Sequence, residues 1–180
     1  MDTSPMDTSP MDARPAEQRQ PTLLSSCAVA TTAAEARFRI NAPEFAHRSS
    51  RVIALDGESA GIVRELGGRS WGGGHFLVFE SALPDDALLG HSGTGGTALL
   101  SEELEGADTV VMIASVGASA EAASIIGDAA AARGIMSAGL VLPGDHSVNE
   151  VVSALRPNAM VLVVLQNVAD VAEVLSALRV

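Results

Sequence analysis

A strand, a glycine-containing turn, a helix and a second strand follow one another without interruption between residues 106 and 142. The run Thr109–Ala114 is almost entirely apolar, which is typical of a strand buried on both faces of a parallel sheet. The Ala-rich stretch after the turn ends at Arg133 and Gly134, a basic last turn and a glycine stop. In such a unit the turn, Ser115–Ser119, lies at the carboxyl edge of the sheet, where α/β proteins bind anions. The segment therefore predicts an α/β fold and a binding edge, without naming a ligand.

The same alternation of apolar strands and helical segments continues through most of the chain. Besides Thr109–Ala114, strands are predicted at Arg51–Leu55, His75–Glu80, Ser137–Leu142 and Ala159–Leu165. Helices are predicted over about 59–66, 97–105, 118–133, 149–155 and 168–178, and the polar stretch 81–97 is predicted as a connection. Asp85 and Asp86 in that stretch follow a proline, which favours a turn or a helix cap. We therefore predict a doubly wound, Rossmann-like, three-layer parallel sheet with helices on both faces.

The N-terminal segment has a different composition. Residues 1–15 repeat the pentapeptide MDTSP with variation, and prolines recur through residue 21. Such a segment buries too little apolar surface to offset its ordering entropy. We predict a disordered tail over 1–34, dispensable for folding, and a single α/β domain over 35–180 that begins with an edge strand at Ala36–Asn41. The tail lacks the basic start and apolar core of a secretory signal, so we expect a cytoplasmic protein.

Charge and rare residues exclude several classes of function. The net charge of −11 argues against nucleic-acid binding. No apolar stretch reaches the roughly 18 residues that a membrane span needs. The eleven basic residues are all arginine, which removes the lysine of a P-loop and any Schiff-base lysine. Cys27 is the only cysteine, so no internal disulfide or thiolate metal cluster forms. The four histidines lack metal-ligand spacing, so we predict no metal site and assign them to the surface or loops.

Small and polar residues follow several of the predicted strands. Asp56 and Gly57 come after one strand, Ser115, Gly117 and Ser119 after another, and Asn167 after the last. The carboxyl ends of parallel strands share one edge of the sheet, so these residues form the predicted ligand site. Backbone N–H groups, hydroxyls and Arg69 would meet the charge of a bound anion, and Gly117→Val is expected to abolish binding. Asp56 and Glu58 would repel a triphosphate unless a cation such as Mg²⁺ bridged them.

The order of these pieces resembles the nucleotide-binding domain of the FtsZ and tubulin family over about residues 51–170. The segment VIALDGESAGIVREL (52–66) is similar to the strand and glycine-rich first phosphate loop of that family, and it keeps Gly57 and Gly61. The segments 75–89 and 134–144 are similar to two further strands. The segment 99–117 resembles the approach to the signature loop, and ALRPNAMVLVVLQN (154–167) resembles the strand whose final asparagine faces the nucleotide. The resemblance implies a guanine nucleotide, with Mg²⁺, as the cofactor.

The residues that perform chemistry in that family are mostly replaced. The signature loop is VGASAEA here, with one glycine, and side chains stand where phosphate oxygens need bare backbone. The catalytic acidic loop of the family has no counterpart before Val180. The resemblance therefore implies a degenerate nucleotide-binding module without intrinsic hydrolysis, acting in assembly or regulation, and we assign no catalytic residues.

Two alternatives remain open. An equal alternative is a non-enzymatic scaffold protein that associates with itself or with a protein partner. A chain can keep the fold and lose the ligand, because function resides in the site and not in the fold. The apolar stripe of the last helix would suit such a partner. In the second alternative, the turn Ser115–Ser119 is similar to the loop of phosphosugar-isomerase (SIS) domains, whose hydroxyls would bind a sugar phosphate.

Overall fold

The computed structural model describes residues 48–115, 117–144 and 148–180. The predicted tail and the predicted strand Ala36–Asn41 lie outside the described residues. In chain order the elements are β1 (Ser50–Ala54), α1 (Gly57–Gly67), β2 (Gly74–Ala82), β3 (Ala87–His91), β4 (Thr97–Leu99), α2 (Leu100–Glu103), β5 (Thr109–Ala114), α3 (Ala120–Ala132), β6 (Met136–Val141), α4 (Val148–Leu155), β7 (Val161–Val164) and α5 (Asp170–Ala177).

The strands form one seven-stranded sheet in the order β4-β3-β2-β1-β5-β6-β7. Five strands run parallel, in the order β2-β1-β5-β6-β7, and each is hydrogen-bonded to the next in an unbroken register. The remaining strands, β3 and β4, extend the sheet beyond β2 as antiparallel partners. The predicted α/β class with a mostly parallel sheet is thereby confirmed.

The prediction of residues 81–97 as a polar connection is wrong in part, because this stretch contains β3. Leu83 donates its N–H to the carbonyl of Asp86 at 2.8 Å, so the Pro84–Asp86 segment is the turn of a β2–β3 hairpin. Ala87 and Leu89 then point into the core, and both are fully buried. The predicted helix over 97–105 is also wrong at its start, since Thr97–Leu99 pairs with β3 and only Leu100–Glu103 is helical.

Alternate residues of the central strands belong to two separate apolar clusters. Val52 and Ala54 pack with side chains from α1 and α5. Ile53 and Leu55 pack instead with side chains from α3 and α4. This division follows from the two-residue period of a strand, which sends successive side chains to opposite faces of the sheet. Within the described ranges no helix is long and apolar enough to cross a lipid bilayer.

Candidate functional site

The chain changes direction across the sheet between β1 and β5, which are direct neighbours. After β1 it moves outward to β2, and after β5 it moves the other way, to β6. In doubly wound sheets such a switch point opens a crevice at the carboxyl ends of the two strands, where ligands bind. Asp56 lies just beyond β1 and Ser115 directly follows β5, so both stand at this crevice.

The Asp56 carboxylate joins the ends of β1 and β5. Its Oδ1 accepts hydrogen bonds from the N–H groups of Glu58 at 3.0 Å and Ser59 at 2.9 Å, and from the Ser115 hydroxyl at 2.6 Å. Its Oδ2 accepts from the Ser115 N–H at 2.7 Å. A carboxylate offers about two lone-pair sites on each oxygen, so Oδ1 is fully used and Oδ2 retains one. Asp56 therefore acts as the built-in anion of the α1 N-terminus and positions Ser115, with most of its acceptor capacity used within the fold.

A capping box holds Asp56 in this conformation. The Ser59 N–H donates to the Asp56 side chain, and the Asp56 N–H donates to the Ser59 hydroxyl at 3.2 Å. The sequence signal for this arrangement is a pair of small polar residues three positions apart at the start of a helix. The interpretation of the same residues as a phosphate loop does not include this cap.

Gly57 and Gly61 belong to helix α1 and not to an extended phosphate loop. Gly57 is the first helical residue, and Gly61 lies one turn further, about 6 Å along the helix axis. Both are exposed, and a Cβ added at either would meet no atom within 4 Å. The expected counter-charge, Arg69, follows the far end of α1 and pairs with Glu65 at 2.9 Å. The structure thus places Gly61 and Arg69 away from the carboxyl edge.

The turn between β5 and α3 presents backbone at the edge. Gly117 is exposed and has a φ of 96°, a conformation that L side chains rarely adopt. Ser119 begins α3, and its hydroxyl accepts the N–H of Ala122 at 3.2 Å. The N–H groups of Ala120 and Glu121 precede the first intrahelical bond and point out of the helix start. These donors and the positive end of a 13-residue helix face outward beside Asp56.

Asn167 lies at the same edge but further along it. It follows β7, which is two strand spacings, about 10 Å, from β5. Its N–H donates to Asp170 Oδ2 at 3.2 Å, and its carbonyl accepts the Asp170 N–H at 3.2 Å, at the start of α5. The structure therefore brings Asp56 into direct contact with Ser115, places Gly117 and Ser119 on the adjoining turn, and leaves Asn167 at the flank.

A second polar cluster lies at the opposite edge of the sheet, around Glu103. One of its carboxylate oxygens lies 3.2 Å from Arg51 Nε and 2.9 Å from His75 Nδ1, and the other lies 3.3 Å from His91 Nε2. Burial lowers the pKa of the Arg51 guanidinium below its ordinary value, and the Glu103 carboxylate, which raises the pKa, offsets only part of this shift. The sequence-based prediction for both histidines is a position on the surface or in loops, without this cluster. Their convergence depends on the β2–β3 hairpin, so no local pattern could have revealed it.

A third cluster surrounds Asp86 at the α2 N-terminus. Its Oδ1 accepts the N–H groups of Ala87 at 2.8 Å and Ser101 at 3.1 Å, and its Oδ2 accepts the Ser101 hydroxyl. Burial raises the pKa of Asp86, but these hydrogen bonds, with Arg133 nearby, outweigh it and hold the pKa below its ordinary value. The prediction of a turn or cap at this position is confirmed. A cavity of about 270 Å³ opens beside it, lined in part by Leu100, Ile125 and Arg133.

Among the described residues, no three His, Cys, Asp or Glu side chains are grouped as metal ligands would be. No protein-family model matches the chain, and no curated protein matches it.

Proposed function

We propose that the chain is a non-catalytic module that binds a nucleotide or another phosphorylated small molecule at the turn between β5 and α3, and that it acts in assembly or regulation. One observation carries the proposal: the start of α3, with Gly117 at a φ of 96°, opens beside the switch point between β1 and β5. The resemblance to the FtsZ and tubulin family favours a guanine nucleotide. The two apolar clusters support the three-layer arrangement that the proposal assumes.

The charge of this edge limits the affinity. Glu58 and Glu121 are exposed acidic residues in the first turns of α1 and α3. The chain has no lysine to neutralise a phosphate, and the Asp56 carboxylate already accepts four hydrogen bonds within the fold. Recognition then rests on the backbone N–H groups of the turn and of the α3 start. We expect weak, salt-sensitive binding, with any Mg²⁺ arriving on the nucleotide and not held by Asp56.

Hydrolysis is not part of the proposal. Phosphoryl transfer needs cationic groups that stabilise the charge on the transferred phosphate. At this edge the described structure offers backbone donors and carboxylates, and the one arginine expected there pairs with Glu65 elsewhere. Purified protein is therefore expected to give no steady release of phosphate from GTP or ATP.

Two substitutions at one position test the binding site. Ser119→Asp and Ser119→Asn both keep a good helix cap, so both variants should fold. The aspartate places a negative charge where the anion would bind, and the asparagine does not. Thermal-shift and calorimetric titrations with GTP, GDP, ATP and sugar phosphates should show binding to wild type and to Ser119→Asn within about threefold. Ser119→Asp should weaken it at least tenfold, about 1.4 kcal/mol.

A ligand at 100 times its Kd stabilises the folded state by about 2.7 kcal/mol, which a thermal shift detects readily. Equal binding by both variants would place the ligand elsewhere. A response to sugar phosphates but not to nucleotides would select the SIS-like alternative. Failure of every phosphate compound would favour the scaffold function, whose supporting observation is the exposed apolar edge at β7.

A further inference from the structure

Strand β7 forms one edge of the sheet and carries exposed apolar side chains. Met160 is 77% exposed, Val161 and Val164 are each 43% exposed, and Val168 is 44% exposed. Among the described residues, the large apolar side chains classed as exposed lie within 160–168, with the single exception of Leu83. The exposed apolar surface is thus concentrated on one strand and its two ends.

This edge lacks the usual protection against pairing. Edge strands normally carry a charged residue, a proline or a bulge that discourages another strand from adding to the sheet. The strand Val161–Val164 reads VLVV, and its flanking residues Met160 and Leu165 are also uncharged. Its backbone pairs in regular parallel register with β6 on the inner side. A regular, apolar, uncharged edge is suited to receive another strand.

Helix α4, which packs on β6 beside this edge, carries charges of opposite sign at its two ends. It has Glu150 in its first turn and Arg156 just after its last residue. Both side chains are exposed. The acidic end lies toward the carboxyl edge of the sheet and the basic end toward the amino edge. The basic end of α5 lies away from this edge, because the Arg179 carbonyl accepts the Arg48 N–H at 2.9 Å just before β1.

A two-fold axis perpendicular to the sheet makes these charges complementary. It pairs β7 with the same strand of a second copy in antiparallel orientation and keeps each helix layer on its own face. Helix α4 then lies antiparallel to its counterpart, with Arg156 toward the second copy's Glu150. A parallel arrangement would place the two copies of α4 on opposite faces of the sheet, where these charges could not meet.

We propose that β7 is the pairing edge for a second copy of this chain, joined antiparallel so that the sheet continues through the dimer. The strand itself supplies the apolar contact and, on the side away from β6, backbone groups that have no partner among the described residues. The charged ends of α4 set the antiparallel orientation. This interface is remote from the turn at Ser119, so its test is independent of the proposed ligand site.

The test uses paired charge variants of full-length protein. Val161→Lys/Val164→Lys and Val161→Glu/Val164→Glu each place like charges on both copies of the edge. Sedimentation velocity at tens of micromolar should give wild type at twice the 18.4 kDa chain mass and each variant alone at the mass of one chain. An equimolar mixture of the two variants should recover the doubled mass, because opposite charges then face each other whatever the exact register. Circular dichroism of each variant checks that the fold is retained.

Each other outcome overturns the proposal. Wild type at the mass of a single chain would mean that the edge is solvent-exposed or is covered by another segment of the same chain. A doubled mass retained by both variants would locate self-association on a different surface. Monomeric variants that fail to associate when mixed, although correctly folded, would exclude the direct pairing of β7 with itself.

Discussion

Asp56 and Asp86 each satisfy the start of a helix with a side chain that also binds a second segment. Asp56 caps α1 and holds Ser115 at the end of β5, and Asp86 caps α2 from the hairpin turn that precedes β3. A carboxylate is favoured at a helix N-terminus because it accepts unpaired N–H groups and faces the positive end of the dipole. Both aspartates therefore act as positioning residues.

The prediction at this scale concerns Asp86. Asp86→Ala removes three hydrogen bonds, so we expect a loss of about 1–2 kcal/mol in the free energy of unfolding at pH 7. Because folding lowers the pKa of Asp86, its stabilisation is present above the unfolded pKa, near 3.9, and is lost as the pH falls through the folded value. Urea unfolding at pH 7 and pH 3 should show the difference from wild type shrinking in acid.

The neighbouring residue supplies the control. Asp85 is exposed and precedes the capping residue in the same turn, so Asp85→Ala should change stability by less than about 0.5 kcal/mol at either pH. Equal losses in both variants would mean that the charge of the turn matters and not the cap. A loss at Asp86 that persists unchanged at pH 3 would contradict the assigned role of its carboxylate.

Individual site residues were predictable only where the local sequence pattern identifies their position in the fold. The turn Ser115–Ser119 and its edge position follow from the apolar strand before it and the helix after it. The role of Asp56 does not, because its decisive partner, Ser115, is 59 residues away and the contact exists only once β1 and β5 pair. The histidines that meet at Glu103 were missed for the same reason.

At the scale of elements, two helical glycines have opposite surroundings. Gly61 is exposed in α1, and a Cβ there would meet nothing within 4 Å. Gly127 is buried in α3, and a Cβ there would lie 2.5 Å from the Asn158 Cβ and 3.0 Å from its Cα. The absence of a side chain at Gly127 thus lets the turn before β7 approach the helix closely.

Alanine at these two positions should change stability in opposite directions. Gly61→Ala should stabilise the protein by about 0.5–1 kcal/mol, because alanine loses less backbone entropy in a helix. Gly127→Ala should destabilise it by about 1–2 kcal/mol, because the steric conflict with the Asn158 backbone exceeds the gain in helix propensity. Chemical denaturation measures both. Loss of ligand binding in a well-folded Gly61→Ala variant would instead support its place in a phosphate loop.

Among the elements, the buried parallel strands were the most predictable. The observed β5 has the predicted bounds, and the other four parallel strands overlap their predicted ranges, because each is a long apolar run between turn residues. The hairpin strand β3 was missed because Leu88 and Leu89 lie between an acidic turn and a glycine-rich stretch, with too short an alternation to signal a strand. Its structure depends on pairing with β2, which no local propensity encodes.

At the scale of the whole molecule, the strand order determines where a ligand can bind. The parallel strands run β2-β1-β5-β6-β7, so the only reversal of direction within this parallel set falls between β1 and β5. The sequence indicates that helices and strands alternate, but it does not fix which strands are neighbours. The structure supplies that order. It places the start of α1, whose N–H groups bond to Asp56, beside the start of α3, whose N–H groups face outward.

An amide-resolved NMR titration tests the proposal that the start of α3 is the anion site. Uniformly ¹⁵N-labelled wild-type protein is titrated with GDP and, separately, with inorganic phosphate, and Ser119→Asp serves as the control. We expect the largest chemical-shift changes on the amides of Gly117 to Glu121, and we expect these changes to disappear in the control. Largest changes at the start of α1, at Asn167 or around Ser101, or changes that persist in Ser119→Asp, would contradict it.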